Sequence, residues 1–408
     1  MITDSDIQQI RSEFPVLEQT VYGKPLVYLD NAATTQKPKC VIDKITEVYT
    51  RYNANVHRGV HYLSSKATEM MEQSRSTVRD FIGATNDHEI IFTRGTTESI
   101  NLVAFSYGQR FVNQGDEIII SQMEHHSNMV PWQMLCERKN ARLKIIPVLP
   151  EGTLDMVTYR TLLSEKTRLV AVTWVSNTLG TVNDIQSIIN LAHNKGIPVL
   201  IDAAQAVQHL PVSVAELDCD FLVFSAHKMY GPTGVGVLYG KEKWLEQMPP
   251  YQGGGEMIKT VSLLKSTYND LPFKFEAGTP DYTAIIGMAE AINFINRIGI
   301  NHILQWEKQL VEKALALLNG IDEVQVIGNA SQRASVISFL LKNIHFYDTG
   351  MVLDKMGIAV RTGTHCTMPL MDFYKIDGTV RASFAIYNTM EEIEMLAGGL
   401  KKIIEIFK

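Results

Sequence analysis

From roughly residue 88 to residue 240 the chain alternates short, continuous apolar runs with longer stretches of helix-like periodicity. The runs are Glu89 to Thr93, Glu117 to Ser121, Arg142 to Pro147, Arg168 to Thr173, Pro198 to Asp202, Phe221 to Phe224 and Val235 to Tyr239. Apolar runs with no polar face, spaced by helix lengths, belong to strands covered on both sides, so a mostly parallel sheet flanked by helices is expected. Ligands of such sheets lie beyond the carboxyl ends of the strands. From Pro280 to Ile300 an apolar-periodic stretch predicts a long helix bridging to a second unit. That unit reads as helix 301–319, strands Val324 to Ile327 and Ser335 to Leu341, helix Tyr347 to Met356, strand Ile358 to Arg361 and a closing helix Met390 to Phe407. It is an α+β domain of ordinary size, and no repeat or low-complexity tract interrupts it.

A length of 408 residues exceeds what one core usually serves and supports the two-domain reading. Hydrophobic residues at 45% and charged residues at 20% are those of a soluble globular protein. A net charge of -6 offers no electrostatic reason to bind nucleic acid or an anionic membrane. The first residues, Met1 to Arg11, lack the basic and then apolar order of a signal peptide, and no run approaches the ~20 apolar residues of a membrane span. A cytoplasmic location is expected. Cys40, Cys136, Cys219 and Cys366 show no paired zinc or redox spacing, and the first three sit in core-like or helical patterns.

Candidate chemistry collects at the strand ends. Phe221 to Ser225 leads into Ala226-His227-Lys228 and then the glycine-rich stretch Gly231 to Gly236. A lysine delivered from a buried strand into a small-residue loop is poorly solvated, and desolvation beside a cation keeps part of it neutral and nucleophilic, as imine chemistry needs. Asp202, ending another buried run, is the carboxylate that would keep a pyridinium nitrogen protonated. Gly95-Thr96-Thr97-Glu98, between a strand and a helix, suits a phosphate, although a capping box has the same pattern. His125 and His126, with His57 and His61, lack metal-site periodicity, and Gly59 interrupts a helix there, so an imidazole beside a cofactor is the better use and no metal is expected. Cys366, in Arg361-Thr-Gly-Thr-His-Cys366-Thr-Met-Pro369, has the flexible, electropositive loop setting that favours thiolate. Arg381 reads as preceding a short strand, where it would either grip a carboxylate or form a structural ion pair.

Taken together these segments resemble the SUF-type (group II) cysteine desulfurases, within the class V, fold-type I pyridoxal-phosphate enzymes. The resemblance rests on Tyr28 to Pro38, Asn55 to His61, Thr93 to Glu98, Asp202 to Gln205, Ser225 to Gly234, Gly253 to Ile258, Phe275 to Pro280 and Arg361 to Pro369, and it spans nearly the whole chain. It implies an α/β fold with a large domain over 17–296 built on a mostly parallel seven-stranded sheet, a small α+β domain over 297–408, and an N-terminal segment 1–16 packing with the small domain. It implies pyridoxal 5'-phosphate joined to Lys228, with Asp202 on the ring nitrogen, Gln205 on the ring hydroxyl and His125 stacked on the ring. Thr96, Thr97, Ser225 and His227 would hold the phosphate, with Thr279 reaching in from the second subunit of a homodimer. Asn177, Arg381, Arg361, Ala32 and His57 would surround the substrate, L-cysteine or L-selenocysteine. Lys228 would move the α-proton, His125 would serve the substrate thiol, and Cys366 would take the sulfur as a persulfide. The sulfur would pass to a SufE-like or SufU-like acceptor for iron-sulfur cluster assembly. Relatives often carry two histidines before the cysteine, whereas Thr364 precedes His365 here. A selenocysteine lyase uses the same residues, a plain aminotransferase has no need of the Cys366 loop, and a non-catalytic scaffold has no reason to keep Lys228, Asp202 and Cys366 together.

Overall fold

The computed structural model describes residues 3–408, so the first two residues of the acidic N-terminal segment lie outside the described residues. The large sheet has seven strands: β1 (Ile90–Thr93), β2 (Glu117–Ser121), β3 (Arg142–Ile146), β4 (Thr167–Thr173), β5 (Val199–Asp202), β6 (Phe221–Ser225) and β7 (Gly236–Gly240). They lie in the order β1-β7-β6-β5-β4-β2-β3. Strand β7 runs against both its neighbours, β1 and β6, and β6, β5, β4, β2 and β3 pair with one another in parallel. Alternate residues of each strand feed two separate cores: Ile119, Val170, Ile201 and Leu222 face one, and Ile118, Leu169, Leu200 and Phe221 face the other. This double burial is why the strands read as unbroken apolar runs. The edge strand β3 is the exception, since it keeps Arg142 exposed and pairs Lys144 with Glu117 at 3.0 Å. Charged side chains on an edge discourage pairing with a further chain.

A second sheet holds β8 (Val324–Ile327), β9 (Val336–Leu341), β10 (Arg361–Gly363) and β11 (Thr379–Ser383), all antiparallel in the order β8-β9-β11-β10. Two expectations need correction. The strand expected over Ile358 to Arg361 is broken, because Ile358–Ala359 pairs in parallel with Val27–Tyr28 while Arg361 opens β10. Arg381 lies inside β11 and not ahead of it, so its side chain is fixed by a sheet instead of a loop. Helices Lys39–Arg51 and Tyr62–Phe81 pack against the long helix Tyr282–Ile298, with Val41, Val48, Met71 and Val78 in the same core as Ile292 and Ile295. Helix Tyr62–Phe81 starts after Gly59, with His61 as its cap. Near the N-terminus Arg11 pairs with Glu392 at 2.9 Å, and Phe14 packs among Tyr230, Phe294 and Tyr387. No helix among the described residues is long and apolar enough to cross a membrane.

Arg75 is a buried charge on which several elements depend. Its guanidinium bonds Glu276 at 2.7 and 3.0 Å, Glu72 at 2.9 Å and Ile90 O at 2.8 Å, and it covers the Phe92 ring at 4.5 Å. Glu276 also accepts the Phe92 N–H at 2.8 Å. Arg75→Met would leave the Glu276 carboxylate buried and unpaired, so urea melts should show a loss of about 3–5 kcal/mol. A loss under about 1 kcal/mol would mean that the carboxylates are paired elsewhere.

Candidate active site

The carboxyl ends of β4, β5 and β6 open on a cavity of about 260 Å³, with the turn after β1 closing one side. Asp202 is the last residue of β5, and Lys228 closes the helical turn that follows β6. Both face the cavity, Asp202 buried and Lys228 partly exposed to it. Burial pushes the Lys228 ammonium down, Asp202 opposes that shift and Arg381 adds to it. Burial likewise pushes the Asp202 carboxyl up, against the Ala204 N–H that donates to it at 3.0 Å and the charge on Lys228. A carboxylate that faces the cavity with a single amide bond keeps acceptor capacity for a ligand. A protonated ring nitrogen would use it.

The opposite end of the cavity is built for an anion. Helix Thr96–Phe111 begins at Gly95, with φ at 149° and no cap from its own N-cap residue, so beyond the Thr96 amide the N–H groups of Thr97 and Glu98 are left for a ligand. Thr96 N–H donates to Ser225 Oγ at 2.8 Å, and the two hydroxyls lie 2.8 Å apart. The helix enters that closely because Gly95 and Gly236 meet backbone to backbone: a Cβ on Gly236 would sit 2.5 Å from Gly95 Cα. Thr97 and His227 complete this wall. Gln205 and Ala32 line the space between, where Gln205 Nε2 donates to Ala32 O at 2.6 Å.

His125 caps the short turn His126–Asn128. Ser127 N–H donates to its Nδ1 at 3.1 Å, which leaves the ring proton on Nε2. Burial, then Lys228, lowers His125 to about 3. His227 falls to about 4 for the same reasons, and His365 to about 3 through burial followed by Arg381 and Arg361. All three cavity imidazoles are therefore neutral across the physiological range. The pH profile of kcat/KM should show no limb near pH 6.5 belonging to them; such a limb, present in the wild type and lost in His125→Gln, would contradict this arrangement.

At the third side Arg361 and Arg381 stand directly opposite each other on β10 and β11. Like charges in that register repel. Asp30 relieves the repulsion by bonding Arg381 at 3.2 Å and Arg361 at 3.3 Å. One carboxylate for two guanidinium groups leaves a positive charge unmatched, and the buried Arg381 Nε has no partner among the described residues. Arg381 also donates to Asn177 O at 2.9 Å. The Asn177 amide in turn donates to His365 O at 2.8 Å, so one residue ties the guanidinium to the cysteine loop.

That loop is pinned, contrary to the expectation of flexibility. His126 N–H donates to Cys366 O at 2.8 Å, Thr367 Oγ1 meets Thr178 Oγ1 at 2.8 Å, and His365 Nε2 meets Thr379 Oγ1 at 2.8 Å. His365 and Cys366 both adopt left-handed backbone, at φ 53° and 59°. Cys366 is exposed where the loop borders the cavity, whereas Cys136 and Cys219 are buried and Cys40 partly so. The electropositive character expected around the thiol comes from Arg361 and Arg381, since His365 is neutral.

His57, expected beside the substrate, is not brought into this cavity, and Thr279, expected to serve a second subunit, lies away from it too. His57 and Thr279 line a separate cleft of about 130 Å³ with Asn55 and Glu256. There His57 contacts Glu72 at 3.0 Å and Glu256 at 3.4 Å, and Thr279 Oγ1 donates to Asn55 Oδ1 at 3.3 Å. Conversely, Asp30 and Ser127 matter to the site without having been singled out. Asp30 stands inside a segment the resemblance rests on and Ser127 two residues after His125, but a partner that acts through another side chain leaves no pattern of its own.

The aminotransferase class-V family profile matches residues 27–396. A cysteine desulfurase of Escherichia coli K12 is 52% identical over 398 residues, covering 97% of this chain and 98% of the relative. One from Shigella flexneri matches to the same extent. Among solved structures, the cysteine desulfurase CsdA of Escherichia coli superposes with a TM-score of 0.92 at 36% identity over 100% of both chains. The apo cysteine desulfurase of Thermococcus onnurineus NA1 gives 0.93 at 39% identity, covering 99% of each chain.

Proposed function

The chain belongs to the aminotransferase class-V family as a pyridoxal-phosphate-dependent cysteine desulfurase, and on that premise we propose that it moves the sulfur of L-cysteine onto Cys366 and releases L-alanine. The observation that carries the assignment of residues is that Lys228, Arg381 and Cys366 line one cavity. When bound, pyridoxal phosphate supplies an electron sink for the pair left at Cα once the α-proton has gone. Thr96, Thr97, Ser225 and His227 hold its phosphate, and Asp202 holds its ring nitrogen. Arg381 takes the substrate carboxylate with the donor that Asp30 leaves unmatched, and Asn177 sets its angle.

The Lys228 amine, kept partly neutral by burial, takes the α-proton and returns a proton to carbon later. His125 presents Nε2–H toward the substrate. Cys366 thiolate attacks the substrate sulfur: an S–S bond forms, the Cβ–S bond breaks, and its electron pair stays on carbon, which is then protonated. Cysteine and one protein thiol thus become alanine and one protein persulfide, with no external oxidant required. The pinned loop presents Cys366 on the outer side of the cavity, where an acceptor protein can reach it.

In this reading residues 297–408 bring Cys366 and Arg381 to a cofactor seated by residues 17–296. Thr279 and His57 serve the cavity of a second copy, which their separate cleft supports. The subgroup is SUF-type, the acceptor is SufE-like or SufU-like, and the sulfur serves iron-sulfur cluster assembly. The test is incubation of the cofactor-loaded protein with L-cysteine and a thiol reductant, with alanine and sulfide quantified. Equal amounts of both support the proposal, and pyruvate in place of alanine overturns it.

A further inference from the structure

Lys37 lies outside the cavity wall, largely buried, and its ammonium rests on uncharged oxygens. It donates to His227 O at 3.0 Å, to Thr34 Oγ1 at 3.3 Å and to Thr35 O. Burial alone lowers it to about 8, with no acid opposing the shift. A buried cation normally comes with a carboxylate, because desolvation is otherwise uncompensated. The segment around Lys37 also stitches the turn that carries His227 and Lys228. Thr35 N–H donates to His227 O at 3.0 Å, Thr34 Oγ1 donates to the same oxygen at 2.9 Å, and Tyr230 N–H donates to Thr35 Oγ1 at 2.7 Å. The ammonium thus sits on the backbone of a residue whose side chain belongs to the anion-binding wall, and its charge is among those that keep His227 neutral.

We propose that Lys37 is a positioning residue for the phosphate end of the cofactor: it clamps the His227–Lys228 turn through the His227 carbonyl and supplies from behind the wall a positive charge that a phosphate dianion meets. The proposal rests on the reading of the cavity as a pyridoxal-phosphate site. It needs no contact between Lys37 and the ligand, since the field of a charge in a poorly solvated setting reaches past one layer of side chains.

The test compares Lys37→Met, which keeps length and loses charge, with Lys37→Arg, which keeps charge. Each is stripped of cofactor and titrated with pyridoxal 5'-phosphate and, separately, with pyridoxal, which lacks the phosphate; the imine absorbance band reports binding. Lys37→Met should weaken pyridoxal 5'-phosphate binding by about tenfold while changing pyridoxal binding less than about twofold, and Lys37→Arg should restore most of the loss. Unchanged pyridoxal 5'-phosphate affinity in Lys37→Met would overturn the proposal, and so would equal loss for both ligands, which marks mere distortion of the turn. If Lys37→Met does not fold, Lys37→Gln is read by the same criteria. A wild-type protein that binds neither ligand would sink the cofactor assignment instead, so the two failures are distinct.

Discussion

Cys366→Ala is expected to lower alanine formation from L-cysteine by on the order of 10³-fold or more, the scale at which removal of a covalent nucleophile is felt. Binding of pyridoxal 5'-phosphate and thermal stability should stay where they are. The Cys366 side chain is exposed, and its tie to the protein runs through its carbonyl, which accepts from His126 N–H and survives the substitution. Alanine carries the same Cβ, so the left-handed backbone at φ 59° costs the variant no more than the wild type. With L-selenocysteine the loss should be much smaller, because selenium leaves carbon more readily and depends less on a protein thiol. Alanine quantified from both substrates, in wild type and variant, decides the matter. Undiminished turnover of L-cysteine would remove Cys366 from the reaction, and equal losses on the two substrates would end its assignment as a sulfur-specific nucleophile.

The departure at Thr364 has a physical setting. Where the resemblance leads to the expectation of a second histidine, the loop has Thr364 and keeps only His365, and that imidazole is buried, bonded to Thr379 and neutral. The cationic groups that share the cavity lining with Cys366 are Lys228, Arg361 and Arg381. Lys228 and Arg381 are also the groups the substrate uses, so arrival of a substrate carboxylate at Arg381 changes the field at the sulfur nucleophile. An imidazole pair is not needed for that coupling.

The sheet was legible because its strands are buried on both faces, and seven apolar runs with helix-length spacers leave few alternatives. The carboxyl-end rule then placed Lys228, Asp202 and Thr96 in one region before any geometry was known. Less was legible where a residue's role is set by a partner far away in sequence. Arg381 reads as preceding a short strand, yet it lies inside one, paired with both β9 and β10 in the small sheet. The loop around Cys366 looked flexible because Gly363 lies beside it, yet Thr367 bonds Thr178, His365 O accepts from Asn177 and Cys366 O accepts from His126 N–H, all on the large-sheet side. Asp30 stood in a quoted segment without a role, since only the structure sets two arginines against it. His57 lies with Thr279 in a separate cleft, and nothing in its local pattern says which cavity the side chain will serve.

Lys228→Ala is expected to abolish turnover, again by on the order of 10³-fold or more, and to do so without weakening the fold. The sign of the stability effect follows from linkage. In the protein free of cofactor, burial holds the Lys228 ammonium below its ordinary value. Between that lowered value and about 10.4, where lysine titrates in an unfolded chain, the unfolded state binds a proton that the folded state does not. Stability then rises with pH through this window, and below it the full cost of enclosing the charge is present. Removing the amine removes that cost, so the cofactor-free variant should be at least as stable as the wild type, with its largest advantage at the acid end. Urea melts at several pH values, set beside alanine formation, separate the two roles: inactivity with undiminished stability marks a group held in a costly environment for its chemistry. Inactivity with a large loss of stability at every pH would instead make Lys228 a structural residue, and the assignment of the imine to it would fail.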